Sequence, residues 1–183
     1  MQTKKQWYVL TGGPCAGKTT TIHELERRGK PIMHEPARGY IEREMKKGRT
    51  LDDIRSPLDV FLDALVVEAL AQEDAYKGEE PLFLDRALVD SVAYYDFLKV
   101  PQTELLKSSA PNRPYKKIFL LDLVDFENDS ARPETAAEAK IIHTHIDDAY
   151  RALGYDVVPV PVLPVEKRVD YILERLTIDL VYP

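Results

Sequence analysis

At 183 residues, with 44% hydrophobic and 31% charged side chains, the chain is long enough to bury one substantial core and too short for two large ones. Its net charge of −6, from 25 Lys and Arg against 31 Asp and Glu, speaks against a general nucleic-acid binder, which needs clustered cations. No apolar run approaches the ~18–20 residues of a membrane span, residues 1–10 lack the apolar segment of a secretory leader, and one cysteine permits no internal disulfide; the expectation is a single cytoplasmic domain, residues 1–183, without membrane contact.

The first predicted element is a strand over 7–10. It runs into Gly12-Gly13-Pro14-Cys15-Ala16-Gly17-Lys18-Thr19, which fits G-x-x-x-x-G-K-[ST] at every fixed position. Glycines let the backbone curl so that successive N–H groups point at a polyphosphate, and a helix beginning at Lys18-Thr19, predicted over 18–28, adds its positive end. Lys18 neutralises phosphate charge, the Thr19 hydroxyl suits Mg²⁺, and Thr20 continues the loop into the helix. Cys15 reads either as a thiol activated by the helix end and Lys18 or as a small filler side chain; loop position alone does not make it catalytic.

A second strand over 31–34 leads into Glu35-Pro36-Ala37-Arg38 and a helix over 37–47. The helix predicted over 57–76 carries a wide apolar face that includes Leu58, Phe61, Leu62, Leu65 and Val66, suited to packing. A third strand over 81–84 ends at Asp85-Arg86, before a helix over 88–98. Residues 100–114, with prolines at 101, 111 and 114 around a short helix over 103–108, form the least regular stretch and read as a mobile loop over the site. After a fourth strand over 117–121 comes a polar segment, residues 125–135, suited to be a lid. A helix over 133–153, a fifth strand over 156–160 and a helix over 165–176 complete the chain. His143-Thr144-His145 lies inside one of these helices, where positions i and i+2 do not share a face, so no metal role is assigned to it.

Strands alternating with amphipathic helices predict a parallel sheet with crossover helices, and ligands in such sheets bind beyond the carboxyl ends of the strands. Three strand ends carry chemistry. Asp85 reads as a carboxylate organising Mg²⁺ or as the cap of the next helix. Glu35 reads as a general base toward a hydroxyl, as a group near the metal, or as a helix cap. Arg86 and Arg38 either bind an anionic substrate or hold the neighbouring acids. Arg132, in the lid segment, is a candidate transition-state cation or a solvated loop arginine.

With these residues in hand, the chain resembles the AAA-type ATPase-domain family that groups the kinase domain of NadR with the TRPL-translocation-defect proteins. The resemblance is carried by residues 11–20, by Glu35-Pro36-Ala37-Arg38, by Leu84-Asp85-Arg86-Ala87-Leu88-Val89-Asp90-Ser91, by residues 129–134, and by residues 150–161 with Glu166-Lys167-Arg168-Val169. It implies a P-loop NTPase of nucleoside and nucleotide kinase type: a five-stranded parallel sheet flanked by helices, with the phosphate-loop strand central and a lid around Arg132. It further implies that Glu35 faces the acceptor and that Asp85-Arg86 sits near metal and phosphate.

Two readings follow. One is a Mg²⁺- and ATP-dependent phosphotransferase acting on an unidentified small, nucleoside-like acceptor, with Lys18, Glu35, Asp85, Arg86 and Arg132 catalytic, residues 12–20 holding the nucleotide, and Thr19 and Asp85 holding the metal. The other is a nucleotide-binding switch or slow NTPase without such an acceptor. No Asn-Lys-x-Asp run appears, which favours ATP over GTP, and nothing in the sequence selects an oligomeric state.

Overall fold

The computed structural model describes residues 5–78, 81–124 and 135–181. At its centre lies β1 (Trp7–Thr11), all five of whose side chains are buried, as a run of aromatic and β-branched residues requires of a strand covered on both faces. β2 (Ile32–Met33), β3 (Leu82–Asp85), β4 (Tyr115–Leu121) and β5 (Val157–Val160) complete a sheet of order β2-β3-β1-β4-β5, parallel throughout. The expected five-stranded core with the phosphate-loop strand central is thus observed. Register matters most for the site. Leu10 pairs with Asp85, and Met33 with Leu84, so the segments after β1, β2 and β3 emerge along one edge.

The strand period of two divides the core. Trp7, Val9 and Leu84 face a layer with Leu88, Tyr95, Ile142 and Tyr150. Tyr8, Leu10, Phe83 and Phe119 face the opposite layer with Ile22, Leu25, Val169 and Ile172. The first layer comes from helices α4 (Leu58–Ala75), α5 (Leu88–Leu98) and α7 (Ala136–Ala152), the second from α1 (Lys18–Arg27) and α8 (Val165–Val181); α2 (Pro36–Lys46), α3 (Leu51–Arg55) and α6 (Glu104–Ser109) fill the connections.

Three sequence expectations change. Helix α3 was not foreseen, although a capping box announces it: the Asp53 amide donates to Thr50 Oγ1 at 3.2 Å and the Thr50 amide to Asp53 Oδ2 at 3.1 Å. A second box, Thr135 with Glu138, places the start of α7 at Ala136 rather than 133. The segment at 100–114 is no loose cover: α6 and a 3-10 turn at Ala110–Asn112 dock through buried Leu106 and Ala110, and the Tyr155 hydroxyl donates to the Ala110 carbonyl at 2.8 Å. The expected lid, except Thr135, and Arg132 within it lie outside the described residues.

Candidate functional site

The loop between β1 and α1 is shaped by what surrounds it. Gly12 has φ +141°, and a Cβ there would lie 2.6 Å from the Leu121 carbonyl oxygen; Gly17 has φ +72°, and its Cβ would lie 2.9 Å from Arg168 Nη1. Gly12 therefore admits no side chain, and any residue but glycine at Gly17 would be strained and would press on Arg168. Gly17 is the N-cap of α1, and no side chain caps that end, which leaves the first helical amides open to an anion. Buried Arg168 donates through Nη1 to the Ala16 carbonyl at 2.7 Å and through Nε to the Pro161 carbonyl at 3.2 Å. Because a trans peptide points its N–H opposite to its C=O, this contact turns the Gly17 amide the other way. On the far side, the Gly13 amide donates to His143 Nδ1 at 3.3 Å. Burial lowers the His143 pKa, with Lys18 adding to the effect and Asp122 and Asp147 opposing it, which keeps the imidazole in the neutral form able to accept.

Lys18 Nζ donates to the carbonyls of Gly12 and Gly13, each at 2.8 Å. Burial first, then Arg86, push its pKa down to about 7 against Asp90, Glu35 and Asp85. A polyphosphate in the loop would supply the missing counter-charge. Pro14 and Ala16 are buried, Cys15 is half-buried at φ +64° with its carbonyl accepting from the Val124 amide at 3.1 Å, and the exposed Thr20 hydroxyl donates back to Gly17 at 2.9 Å.

Asp85, Arg86 and Glu35 meet where β2 and β3 end. Glu35 occupies the N-cap position of α2, yet its side chain makes no cap bond; its Oε1 lies 3.1 Å from Arg86 Nε instead. Asp85 is not a cap either. The N-cap of α5 is Ala87, whose amide donates to Asp90 Oδ2 at 3.0 Å. Burial and then Glu35 raise the Asp85 pKa, with Arg86 and Lys18 opposing. Arg86 stands at φ +62°, a left-handed conformation costing a non-glycine residue about 1 kcal/mol or more, and it stacks over the Tyr94 ring at 5.2 Å. Burial works against its charge, but Tyr94, Glu35, Asp90 and Asp85 outweigh burial and hold it protonated.

These groups open onto a cavity of ≈ 660 Å³. One end carries Lys18, Thr19, Glu35, Asp85 and Arg86; the walls come from α2, α4 and α5, with Phe61, Tyr94 and Phe97 among them. Tyr94 faces this space, whereas its neighbour Tyr95 is fully buried and donates to Asp63. An adjoining recess of ≈ 680 Å³ shares Thr19, Glu35, Arg38 and Asp85. Thr19 and Asp85 thus border one space, and a divalent cation there would relieve the crowding of Asp85 by Glu35. Among the described residues no group of three or more His, Cys, Asp or Glu gathers to hold a metal, so the fit is to Mg²⁺ completed by phosphate oxygens and water.

Sequence reasoning missed three supports of this site. Asp90, an acid inside the apolar start of α5, was legible as an anomaly; Arg168 and His143 lie in runs the sequence had singled out, but their contacts reach the loop from more than a hundred residues away, and no local signal marks that role.

A family model described as AAA domain matches residues 7–168. No curated protein matches the sequence. Among solved structures, deoxyadenosine kinase from M. mycoides with the products dCMP and dCDP is similar at TM-score 0.63 and 16% identity, over 93% of this chain and 98% of that one. The same enzyme with bound dATP is similar at TM-score 0.63 and 15% identity, over 93% and 99%. NadR in complex with NR is similar at TM-score 0.63 and 15% identity, over 86% of this chain but 44% of that one. These likenesses show the fold. Among the described residues, no helix is long and apolar enough to cross a membrane.

Proposed function

We propose that this chain, which belongs to the AAA-domain family, is a Mg²⁺-dependent phosphotransferase that moves the γ-phosphoryl group of ATP to a small nucleoside-like acceptor. The carrying observation is the cavity: a phosphate loop, a strand-end Asp85 and the Glu35–Arg86 pair share one space whose remaining wall is mostly apolar and aromatic, with Arg38 and Arg55 among it. A switch or slow NTPase needs no such chamber beyond its γ-phosphate. The fold likeness to a deoxyadenosine kinase and to NadR adds support for a nucleoside-like acceptor. Within the family we group the chain with the NadR kinase domain and the TRPL-translocation-defect proteins. We further propose one cytoplasmic domain over residues 1–183, closed by a lid at 125–135 whose Arg132 meets the transferring group.

In this mechanism the amides of the loop and Lys18 hold the β- and γ-phosphates. A bound Mg²⁺, held by Thr19 and Asp85, supplies neutralisation of phosphate charge. Arg86 orients Glu35, which accepts the proton of the acceptor hydroxyl as that oxygen bonds to the γ-phosphorus. The bond from the γ-phosphorus to the bridging oxygen breaks, and ADP leaves with the electron pair. Positioning and electrostatics are sufficient for this chemistry. The test is Glu35→Gln with labelled ATP and a panel of nucleosides. ATP affinity stays within about twofold while transfer falls roughly 100-fold, the usual weight of a general base; unchanged transfer removes Glu35 from this role.

A further inference from the structure

Two exposed cations border the cavity without a carboxylate partner among the described residues. Arg38, in the first turn of α2, and Arg55, at the end of α3, both line it. Every other charged group there is engaged or committed to the phosphate end: Glu35 with Arg86 at 3.1 Å, Asp90 with Arg86 at 3.4 Å, and Asp85 beside Lys18. Among the described residues neither Arg38 nor Arg55 forms an ion pair, although Arg43, five residues beyond Arg38, is paired with Glu68 at 2.6 Å. Glu42, four residues after Arg38 and bordering the adjoining recess, makes no ion pair with it either. A cation in the first turn gains nothing from the helix, whose positive end it faces. Arg38 on α2 and Arg55 on α3, three residues before Leu58, thus reach one space from two different helices. In a protein of net charge −6, leaving two arginines free at a substrate cavity selects for negative charge.

We propose that the acceptor is an anion: besides the hydroxyl presented to Glu35 it carries a separate phosphate or carboxylate group, received by Arg38 and Arg55, whose planar forks suit either. This rests on the phosphotransferase reading and deepens it, since a neutral or cationic nucleoside leaves the charge of these two side chains uncompensated.

The experiment measures binding and turnover separately. With a non-hydrolysable ATP analogue and Mg²⁺ present, calorimetry compares a neutral nucleoside, its 3′-monophosphate, a carboxylate-bearing nucleoside and a cationic pyridinium nucleoside. The same compounds are then assayed with ATP. The expected result is at least tenfold tighter binding and at least tenfold higher kcat/KM for an anionic compound than for the neutral one, the phosphate and carboxylate arms telling the two anions apart. Arg38→Gln and Arg55→Gln each shrink that advantage severalfold without changing the melting temperature or the affinity for the ATP analogue, and Arg38→Lys keeps part of it. Neutral or cationic compounds that bind and react as well as the anions overturn the proposal and leave the phosphotransferase standing. An anion advantage that neither substitution changes also overturns it. Anions that bind through these arginines but are never phosphorylated sustain the anion site and overturn the phosphotransferase.

Discussion

Asp90 gathers four donors onto one buried carboxylate. Oδ1 accepts from the Thr11 hydroxyl at 2.5 Å and faces Arg86 Nη1 at 3.4 Å; Oδ2 accepts from the Ala87 amide at 3.0 Å and the Tyr150 hydroxyl at 2.7 Å. It thereby ties the end of β1, the turn after β3 and helix α7 to the arginine that holds Glu35. Asparagine has the same size but turns one acceptor oxygen into an N–H donor aimed at other donors. Asp90→Asn is therefore expected to destabilise the fold by about 3 kcal/mol, read from the urea midpoint, and to lower transfer through misplacement of Arg86. An unchanged midpoint contradicts this account of the carboxylate. At this scale the sequence revealed residue types rather than partners. Residues 12–19 declare a phosphate loop because the spacing is itself the chemistry, whereas Glu35 as the partner of Arg86, and Tyr94 rather than Tyr95 as a cavity wall, depend on backbone turns such as the positive φ of Arg86.

Helices α1 and α8 are clasped by an ionic chain that bears on the phosphate loop, since one carries Lys18 and the other Arg168. Glu24 receives Arg27 at 2.6 Å and Arg28 at 2.7 Å, and Arg28 reaches Asp170 on α8 at 2.7 Å. Hydrogen bonds from Arg27 and then Arg28 lower the Glu24 pKa from 4.5 to about 2. A carboxylate depressed in the folded state stabilises the fold above its unfolded pKa and loses that contribution as pH falls toward the folded value. Stability should therefore decline between about pH 5 and pH 2 with a component that Glu24→Gln removes. Chemical-denaturation curves across that range give the comparison, and an identical acid limb in the variant contradicts the clasp. Elements were largely legible in the sequence: among the described residues, all five strands and seven of the eight α-helices lie where apolar period and punctuation put them, within a few residues. Helix α3 escaped because five residues cannot establish a period, and only its capping box speaks for it.

For the whole molecule, the parallel order β2-β3-β1-β4-β5 explains why residues distant in sequence form one site. Because all five strands run parallel, their carboxyl ends lie along one edge, so the loop after β1, Glu35 after β2 and Asp85-Arg86 at the end of β3 converge by topology. Alternation of strand and helix in the sequence was enough to anticipate that convergence. The cavity was not legible, because its volume depends on how α2, α4 and α5 stand apart, which is set by side-chain packing across residues 36–98. That space is what separates transfer from mere nucleotide binding. The most direct test follows both products of ATP turnover at once, with Mg²⁺, with and without a candidate acceptor, in the wild type and in Lys18→Ala. Phosphoryl transfer predicts that ADP forms in step with phosphorylated acceptor, that little inorganic phosphate is released when acceptor is absent, and that both signals vanish without Lys18. Release of inorganic phosphate at the same rate whether or not any acceptor is present, with no phosphorylated product, contradicts the account.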